Sequence, residues 1–310
     1  MISRRIFLQS SSLLAAGSML AGNSSYTAES ANKKSFGLQT YSLGKELSED
    51  VSGGLKRVGK MGYSAIELAG YGNGKISGID MQEYKKMAED AGLKITGTHV
   101  NPPVREYTNE NKASIAEFWK KAANDHAAIG CKYIIQPGQP ATRTIEEVAF
   151  VGEVFNEAGR IAKAAGLIFG YHNHSGEFER VAPANAEPPQ TSGEGGGRRR
   201  RDDMKIIYDL MLENTDPELV VFENDVYWTV AGRQDPVAYM KKYANRIRLL
   251  HIKDIAVLGE SGWMNFQKIF ETAYTNKISD FYVELENYSE GQFNGVKGCA
   301  DYLLKAQFVK

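Results

Sequence analysis

The stretch IRLLHIKDI, residues 247–255, joins a run of aliphatic side chains to a polar end. A short apolar run of this kind is typical of a strand that is covered on both faces, as in a parallel sheet. The run nevertheless closes on His251, Lys253 and Asp254. We therefore predict a buried parallel strand whose C-terminal end carries polar side chains that serve a function.

The same design recurs along the chain from residue 35 onward. Other short apolar or β-branched runs cover residues 36–43, 64–71, 93–100, 132–138, 167–174, 219–228 and 280–288. Segments with helical spacing separate these runs, and several of them end in Gly, as a helix C-cap would. Eight strand–helix units in about 275 residues predict a single-domain α/β fold, the (β/α)8 TIM barrel, over 35–310. A doubly wound sheet would more often carry a Gly-rich phosphate loop after its first strand, and GLQTYSLGKEL has none.

Composition excludes several classes of protein. The 310 residues are 42% hydrophobic, which is enough for a large core. Lys and Arg total 37 against 38 Asp and Glu, so the net charge of -1 gives no electrostatic case for binding nucleic acid. The two cysteines, Cys131 and Cys299, are too few for a thiolate cluster. Nitrogen and oxygen would have to hold any metal.

The first thirty-one residues read as a separate segment. Arg4 and Arg5 precede Phe7, Leu8 and a mild apolar stretch that is too short to span a membrane stably. The pattern from Ser3 to Leu8 resembles the twin-arginine export signal of bacteria, which implies a periplasmic protein. We therefore expect a signal peptide at 1–31 and no membrane span in the mature chain.

A second irregular segment interrupts the strand–helix rhythm. Residues 181–203 are rich in Pro and Gly and include four consecutive arginines. Such a composition predicts a flexible surface insertion after the fifth strand, because it cannot bury enough apolar surface to order itself. A basic docking tip or an active-site flap are the functional alternatives.

The polar ends of the predicted strands locate the candidate site. In a (β/α)8 barrel the loops after the strand C-termini form the active face. The candidates there, in chain order, are Gln39, Tyr41, Glu67, His99, Gln136, His172, Asn173, His174, Glu177, Glu223, Asp225, Tyr227, Trp228, His251, Lys253, Asp254, Glu284 and Glu286.

Strand alternation decides which candidates meet. Side chains two residues apart on a strand point the same way, which pairs His172 with His174 and His251 with Lys253. Glu223 pairs with Asp225, and Glu284 with Glu286, by the same rule. Imidazole and carboxylate groups that converge in one cup predict a divalent metal site, and such mixed ligands suit Mn²⁺, Zn²⁺, Co²⁺ or Mg²⁺. For any one residue, a hydrogen-bonded or ion-paired rim position is the alternative.

The succession YHNHSGEF, ENDVYW, LLHIKD and VELENY resembles the xylose-isomerase-like TIM-barrel superfamily, and within it the sugar phosphate isomerases/epimerases. The resemblance implies one divalent ion held from strands five to eight, by His172, Asp225, His251 and Glu284. On strand five the epimerases carry a glutamate where this chain has His172. His174 and Glu177 therefore stay open as ligands there.

A divalent ion in such a site makes the C–H beside a carbonyl acidic, so that a side chain can remove its proton. Reprotonation would isomerise or epimerise the sugar, whereas expulsion of a β-substituent would make the enzyme a lyase. The candidate bases are Glu177, Glu286, His174 and Lys253, although Lys253 could instead pair with an acid. The candidate substrate contacts are Gln39, Tyr41, Glu67, His99, Gln136, Asn173, Tyr227 and Trp228, whose aromatic members could stack on a pyranose ring.

Export disfavours phosphorylated substrates, so we expect a neutral sugar or a glycoside. An isomerase or epimerase is the first expectation, and a 3-keto-glycoside lyase is the alternative on the same site. A non-catalytic sugar-binding protein would keep the aromatic wall without the metal. An endonuclease IV-like enzyme would need a histidine on strand two, where this chain has Glu67, and a basic face. A homo-oligomer is possible.

Overall fold

Eight short parallel strands alternate with helices along the chain. The computed structural model describes residues 34–186 and 203–310. The barrel strands are β1 (Gly37–Gln39), β2 (Ala65–Leu68), β3 (Lys94–Thr98), β4 (Tyr133–Gln136), β5 (Ile168–His172), β6 (Val220–Asp225), β7 (Ile247–Ile252) and β8 (Asp280–Val283).

The strands pair in a continuous parallel ladder, in the order β3, β2, β1, β8, β7, β6, β5, β4. A parallel bridge between His99 and Ile135 joins the two ends of the ladder. The backbone amide of Val100 donates to the Ile135 carbonyl at 2.8 Å across the same gap. The predicted (β/α)8 barrel is confirmed.

Helices surround the barrel. They are α1 (Gly44–Glu49), α2 (Val51–Lys60), α3 (Met81–Asp90), α4 (Lys112–Ala128), α5 (Ile145–Ala164), α6 (Ile207–Glu213), α7 (Val226–Ala231), α8 (Pro236–Lys242), α9 (Phe266–Thr275) and α10 (Gln292–Lys305). Gly130 and Gly166 follow α4 and α5 with φ of 76° and 81°, the left-handed conformation that favours glycine at a helix end. No helix in the described ranges has both the length and the apolarity to cross a membrane.

Two small antiparallel ladders are added to the barrel. One has three strands, Tyr71–Gly72, Lys75–Ile76 and Ile79–Asp80, and lies between β2 and α3. The other pairs Arg180–Val181 with Lys205–Ile206. The first residue of the predicted insertion at 181–203, Val181, therefore pairs with Lys205 in a β-ladder. The central part of the insertion, 187–202, lies outside the described residues. The predicted signal peptide lies outside them too.

The lower part of the barrel interior contains a hydrophobic cluster. This apolar layer, which sits below the strand C-termini, consists of Tyr133, Ile135, Val221, Leu249 and Tyr282. The next inward residues along three of these strands are polar: Glu223 follows Val221, His251 follows Leu249, and Glu284 follows Tyr282. Residues between them, such as Leu250, belong to the larger core beneath the helices.

Two predicted strand ends are wrong. Tyr41 lies in a 3₁₀ turn, Thr40–Leu43, rather than on the first strand. Tyr227 and Trp228 lie on α7, because the Asp225 carboxylate accepts a hydrogen bond from the Trp228 backbone amide at 2.8 Å and caps that helix. Strand alternation therefore does not orient these three aromatic side chains.

Candidate metal centre

Four buried side chains from consecutive strands converge above the apolar layer. His172 ends β5, Asp225 ends β6, His251 lies near the end of β7, and Glu284 follows β8. One potential ligand atom from each residue lies within 4.8 Å of all the others. We refer to these four residues as the candidate centre. They are the same four that the resemblance implied.

The strand register explains this convergence. Asp225 pairs directly with His251 across the β6–β7 ladder, and His172 pairs with Glu223 across β5 and β6. Neighbouring parallel strands thus deliver their polar ends at one height. Asp225 Oδ2 lies 3.5 Å from His172 Nε2, and His251 Nδ1 lies 3.3 Å from Glu284 Oε2.

Buried polar atoms that lack hydrogen-bond partners indicate whether these residues suit a cation. Neither ring nitrogen of His172 has a hydrogen-bond partner among the described residues, and neither has Asp225 Oδ2. Leaving buried polar atoms unpaired costs about 1–3 kcal/mol each. A divalent ion would remove that cost by accepting their lone pairs, and imidazole with carboxylate is a set that such ions bind. The candidate centre therefore fits a divalent cation.

Electrostatics agree with this fit. Burial lowers the pKa of His172 well below its ordinary value, and His251 and His99 lower it further, so the imidazole is neutral with a free lone pair. Burial raises the pKa of Asp225 to about 7, although Lys253 and His251 lower it. A neutral histidine and a buried carboxyl group both gain from a nearby cation.

Lys253 forms ion pairs with two carboxylates, which was the alternative to a role as a base. Its ammonium lies 3.1 Å from Glu284 Oε2 and 3.0 Å from Glu286 Oε1, and it sits 4.7 Å from the centre of the Trp228 ring. Burial alone would lower the pKa of Lys253, but Asp225 and the two glutamates raise it above its ordinary value. Lys253 is therefore a cation in this arrangement, which is the opposite of what a general base needs.

His174 and Glu177 have different surroundings. His174 lines the cavity, with its ring 4.9 Å from that of His172, and burial lowers its pKa to about 4. Glu177 accepts hydrogen bonds from the Tyr171 hydroxyl with one oxygen and from the His174 backbone amide with the other. Glu177 is not among the residues that line the cavity, and it holds the loop that carries His174.

A cavity of about 480 Å³ opens above the candidate centre. The predicted residues that line it are Tyr41, His99, His172, His174, Glu284 and Glu286. Asn101, Arg105 and Gly138 also line it, and sequence reasoning missed them. Asn101 and Arg105 follow β3 by a few residues, so extending the search from strand ends into the following loops would have found them.

The remaining predicted substrate contacts support the site from outside the cavity wall. Gln136 accepts a hydrogen bond from the Tyr107 hydroxyl and donates to the Gly138 carbonyl. Asn173 accepts from the backbone amide of Asp225 at 3.1 Å. Tyr227 packs against the large core.

Beneath the cavity, a second group of polar side chains surrounds His251, which also belongs to the candidate centre. Its members are Glu67, His99, Glu223 and His251, which we call the floor quartet. The Gln39 side chain donates to Glu67 at 2.8 Å. Burial alone would raise the pKa of Glu67, but His99 and His251 lower it to about 2. Burial alone would lower the pKa of His99, but Glu67 and Glu223 raise it to about 9.

Comparison with known proteins places this geometry in a family. Two crystal structures of sugar phosphate isomerases/epimerases from Parabacteroides distasonis are similar over most of the chain. The first is 50% identical, with a TM-score of 0.81, and covers 89% of this chain and 100% of that one. The second is 46% identical, with a TM-score of 0.86, and covers 91% of this chain and 100% of that one.

More remote similarities extend to other reactions. Inosose dehydratase from Clostridium tetani is 30% identical over 112 residues, which is 36% of this chain and 30% of the relative. The matched region thus spans less than a third of that enzyme. The 3-keto-D-glucoside 4-epimerase of E. coli shares the fold, with a TM-score of 0.61 and 15% identity, over 87% of this chain and 97% of that one.

The family model described as xylose isomerase-like TIM barrel matches residues 55–300. That range includes every member of the candidate centre and of the floor quartet. The chain therefore belongs to the xylose isomerase-like TIM barrel family.

Proposed function

We propose that this protein is a divalent-metal-dependent carbohydrate isomerase or epimerase that works by proton abstraction next to a carbonyl. The observation that carries the proposal is the convergence of four ligand-type atoms within 4.8 Å at the base of a cavity. His172 and Asp225 present atoms there without partners in the described chain. A bound divalent cation would supply polarisation of a carbonyl and of an adjacent hydroxyl.

Two side chains on the cavity wall are suited to moving the proton. His174 lines the cavity, and its pKa of about 4 keeps the imidazole neutral near pH 7, so it has a lone pair to accept a proton. Glu286 also lines the cavity, and its carboxylate is held 3.0 Å from the Lys253 ammonium. An epimerase that removes a proton from one face and returns one to the other needs two such groups.

Lys253 has a positioning role in this proposal. Its ammonium bridges Glu284, a member of the candidate centre, and Glu286 on the wall. Because the lysine is itself buried, it sets the distance between the two carboxylates.

A neutral sugar or glycoside is the substrate class that we propose. The cavity wall combines the exposed ring of Tyr41 with amide and imidazole groups of Asn101 and His99, a mixture that suits a hydroxylated ring. The twin-arginine pattern at Arg4 and Arg5 supports a periplasmic location, where phosphorylated sugars are scarce.

A 3-keto-glycoside lyase is the second candidate. The same deprotonation can end in elimination, and the similarity to a dehydratase over 112 residues favours keeping this outcome. The polar wall at His174 and Glu286 serves either outcome, because both begin with loss of a proton beside a carbonyl.

Incubation of the metal-loaded protein in D₂O with a panel of ketoses and 3-keto-glycosides tests the proposal. Deuterium in a rearranged sugar identifies an isomerase or epimerase, and release of the aglycone identifies a lyase. His174→Gln, which keeps the size and polarity of the side chain, should lose most of the exchange. Sugar binding that survives chelation, with no exchange in any substrate, would contradict an enzymatic role and leave a binding protein.

The proposed location has its own test. Replacing Arg4 and Arg5 together by Lys should leave the protein in the cytoplasmic fraction of cells, whereas the unchanged chain should be recovered from the periplasm. Equal periplasmic recovery of both proteins would contradict export by the twin-arginine route.

A further inference from the structure

The floor quartet is a closed ring of alternating nitrogen and oxygen atoms. His99 Nε2 lies 3.1 Å from Glu67 Oε2 and 3.0 Å from Glu223 Oε2. His251 Nε2 lies 2.7 Å from the same Glu67 oxygen and 3.3 Å from the same Glu223 oxygen. Two carboxylate oxygens and two imidazole nitrogens therefore face one common point.

The size of the ring matches a metal coordination sphere. Four atoms whose neighbours are about 3.0 Å apart lie about 1.8 Å from their common centre if tetrahedral and about 2.1 Å from it if planar. Zinc–nitrogen and zinc–oxygen bonds in proteins are about 2.0–2.2 Å long. The ring is thus of the right size for a divalent ion with little rearrangement.

Hydrogen bonds account for two of the four contacts in the ring, from His99 Nε2 to Glu223 at 3.0 Å and from His251 Nε2 to Glu67 at 2.7 Å. An imidazole Nε2 carries at most one proton, so the other two nitrogen–oxygen contacts have no proton of their own. The second carboxylate oxygens, Glu67 Oε1 and Glu223 Oε1, are also buried without a hydrogen-bond partner in the described ranges. A cation at the centre of the ring would satisfy all four facing atoms at once.

We propose that the floor quartet is a second divalent-cation site, separate from the candidate centre. Its ligands are two imidazoles and two carboxylates, a set that suits first-row divalent ions such as Zn²⁺ and Mn²⁺. His99 lines the cavity, so an ion reaches the quartet from the same opening. Gly97 leaves room for the Glu67 side chain, because a Cβ there would lie 2.7 Å from Glu67 Oε1.

His251 links the two sites. Its Nδ1 faces Glu284 and Asp225 in the candidate centre, and its Nε2 faces the floor quartet. The two sites therefore share one imidazole.

The test isolates the floor quartet by deleting the candidate centre. The double variant His172→Ala/Asp225→Asn removes two ligands of the centre, and the asparagine amide oxygen would still cap α7. Zn²⁺ alone, and Mn²⁺ alone in a parallel series, are titrated into this variant, with bound metal measured by mass spectrometry and Mn²⁺ by EPR. We expect one ion per chain. Adding Glu223→Gln should weaken binding by at least about a hundredfold, since it removes a ligand.

A matched control separates the two sites. Adding Glu286→Gln instead, at a residue that pairs with Lys253 and not with the floor quartet, should change the affinity of the double variant by less than about tenfold. Circular dichroism and thermal unfolding confirm that each variant is folded. A folded double variant that binds neither ion, or one that loses its ion with Glu286→Gln but not with Glu223→Gln, would overturn the proposal.

The outcome is independent of the proposed function. Glu223→Gln in the otherwise unchanged chain leaves every ligand of the candidate centre in place, so it reports on that centre alone. If this variant binds no ion, the proposed metal-dependent function fails, whatever the floor quartet does.

Discussion

The lower and upper halves of the barrel interior are built from the same strands but differ in chemistry. Leu249 and His251 are two residues apart on β7, and both are buried. The lower residue belongs to the apolar layer, whereas the upper one belongs to the candidate centre and the floor quartet. One strand can therefore contribute an apolar side chain to the packed core and, two residues further along, a polar side chain whose hydrogen-bonding groups the core does not satisfy.

The difference shows how stability and function divide along the barrel axis. Burying an apolar side chain stabilises the fold by about 1.5–3 kcal/mol. Burying an imidazole without partners, as at His172, costs stability unless a ligand offsets it. The upper half is therefore expected to respond to metal and the lower half to packing.

The largest expected effect is the loss of activity on removing a ligand from the upper half. His172→Ala should lower the activity of the metal-loaded enzyme on the order of a thousandfold, or about 4 kcal/mol in the barrier, because it weakens the cation site. The free energy of unfolding of chelator-treated protein should change by less than about 1 kcal/mol, since the ring makes no hydrogen bond to the described residues. Activity assays and urea unfolding check both parts.

The lower half should behave in the opposite way. Leu249→Ala in the apolar layer should lower the free energy of unfolding by about 3 kcal/mol, because it opens a cavity in a fully buried cluster. Metal affinity should stay within a few fold of that of the unchanged chain. A large loss of metal affinity with little loss of stability would mean that the two halves are not separable.

A buried histidine outside both halves provides a pH test. His126 on α4 donates from Nδ1 to the Ala122 carbonyl at 2.6 Å and accepts from the Thr98 hydroxyl with Nε2 at 3.1 Å. Burial lowers its pKa to about 4, although the Ala122 carbonyl and Asp125 raise it. Between pH 6.5 and pH 4 the unfolded chain therefore binds a proton that the folded chain refuses.

Stability contributed by His126 is thus complete above pH 6.5 and is lost as the pH falls toward 4. At pH 5 the loss should be about 2 kcal/mol relative to pH 7. Urea unfolding of the unchanged chain and of His126→Gln at both pH values checks this prediction. The two proteins should differ in their pH dependence by that amount, and identical pH dependence would contradict it.

The smallest expected effect concerns the space that the upper half needs. Gly97→Ala should lower the free energy of unfolding by about 1–2 kcal/mol and weaken metal binding, because the new Cβ would collide with the Glu67 carboxylate. Gly72→Ala is the matched control, since a Cβ there meets nothing within 4 Å. Equal effects of the two substitutions would show that Glu67 does not depend on that space.

Strand patterns predicted the barrel and the position of polar side chains at the C-terminal ends of its strands. His172, Asp225, His251 and Glu284 could be singled out because parallel strands in a barrel deliver their C-termini to one face. The same reasoning placed Tyr227 on a strand, although a helix begins at Val226. A capping hydrogen bond from the Trp228 amide to the Asp225 carboxylate marks the end of that strand, and strand patterns do not include such bonds.

Long-range contacts set the roles of individual polar residues. Glu177 looked like a base from its place behind strand five, yet Tyr171 and the His174 amide occupy both of its oxygens. Glu67 was expected to touch substrate, whereas it lies beneath the cavity in contact with His251, 184 positions away in the chain. Contacts of this length depend on barrel closure, which local patterns do not encode.

Local sequence patterns were sufficient to predict the alternation of strands and helices, the barrel, and the chemical types gathered at its C-terminal face. Hydrophobic periodicity and glycine helix ends are local properties, so they can be read without coordinates. Local patterns could not predict which nitrogen of His251 faces which carboxylates, or that Lys253 forms ion pairs. Those outcomes depend on ångström-scale distances between strands that are far apart in the chain.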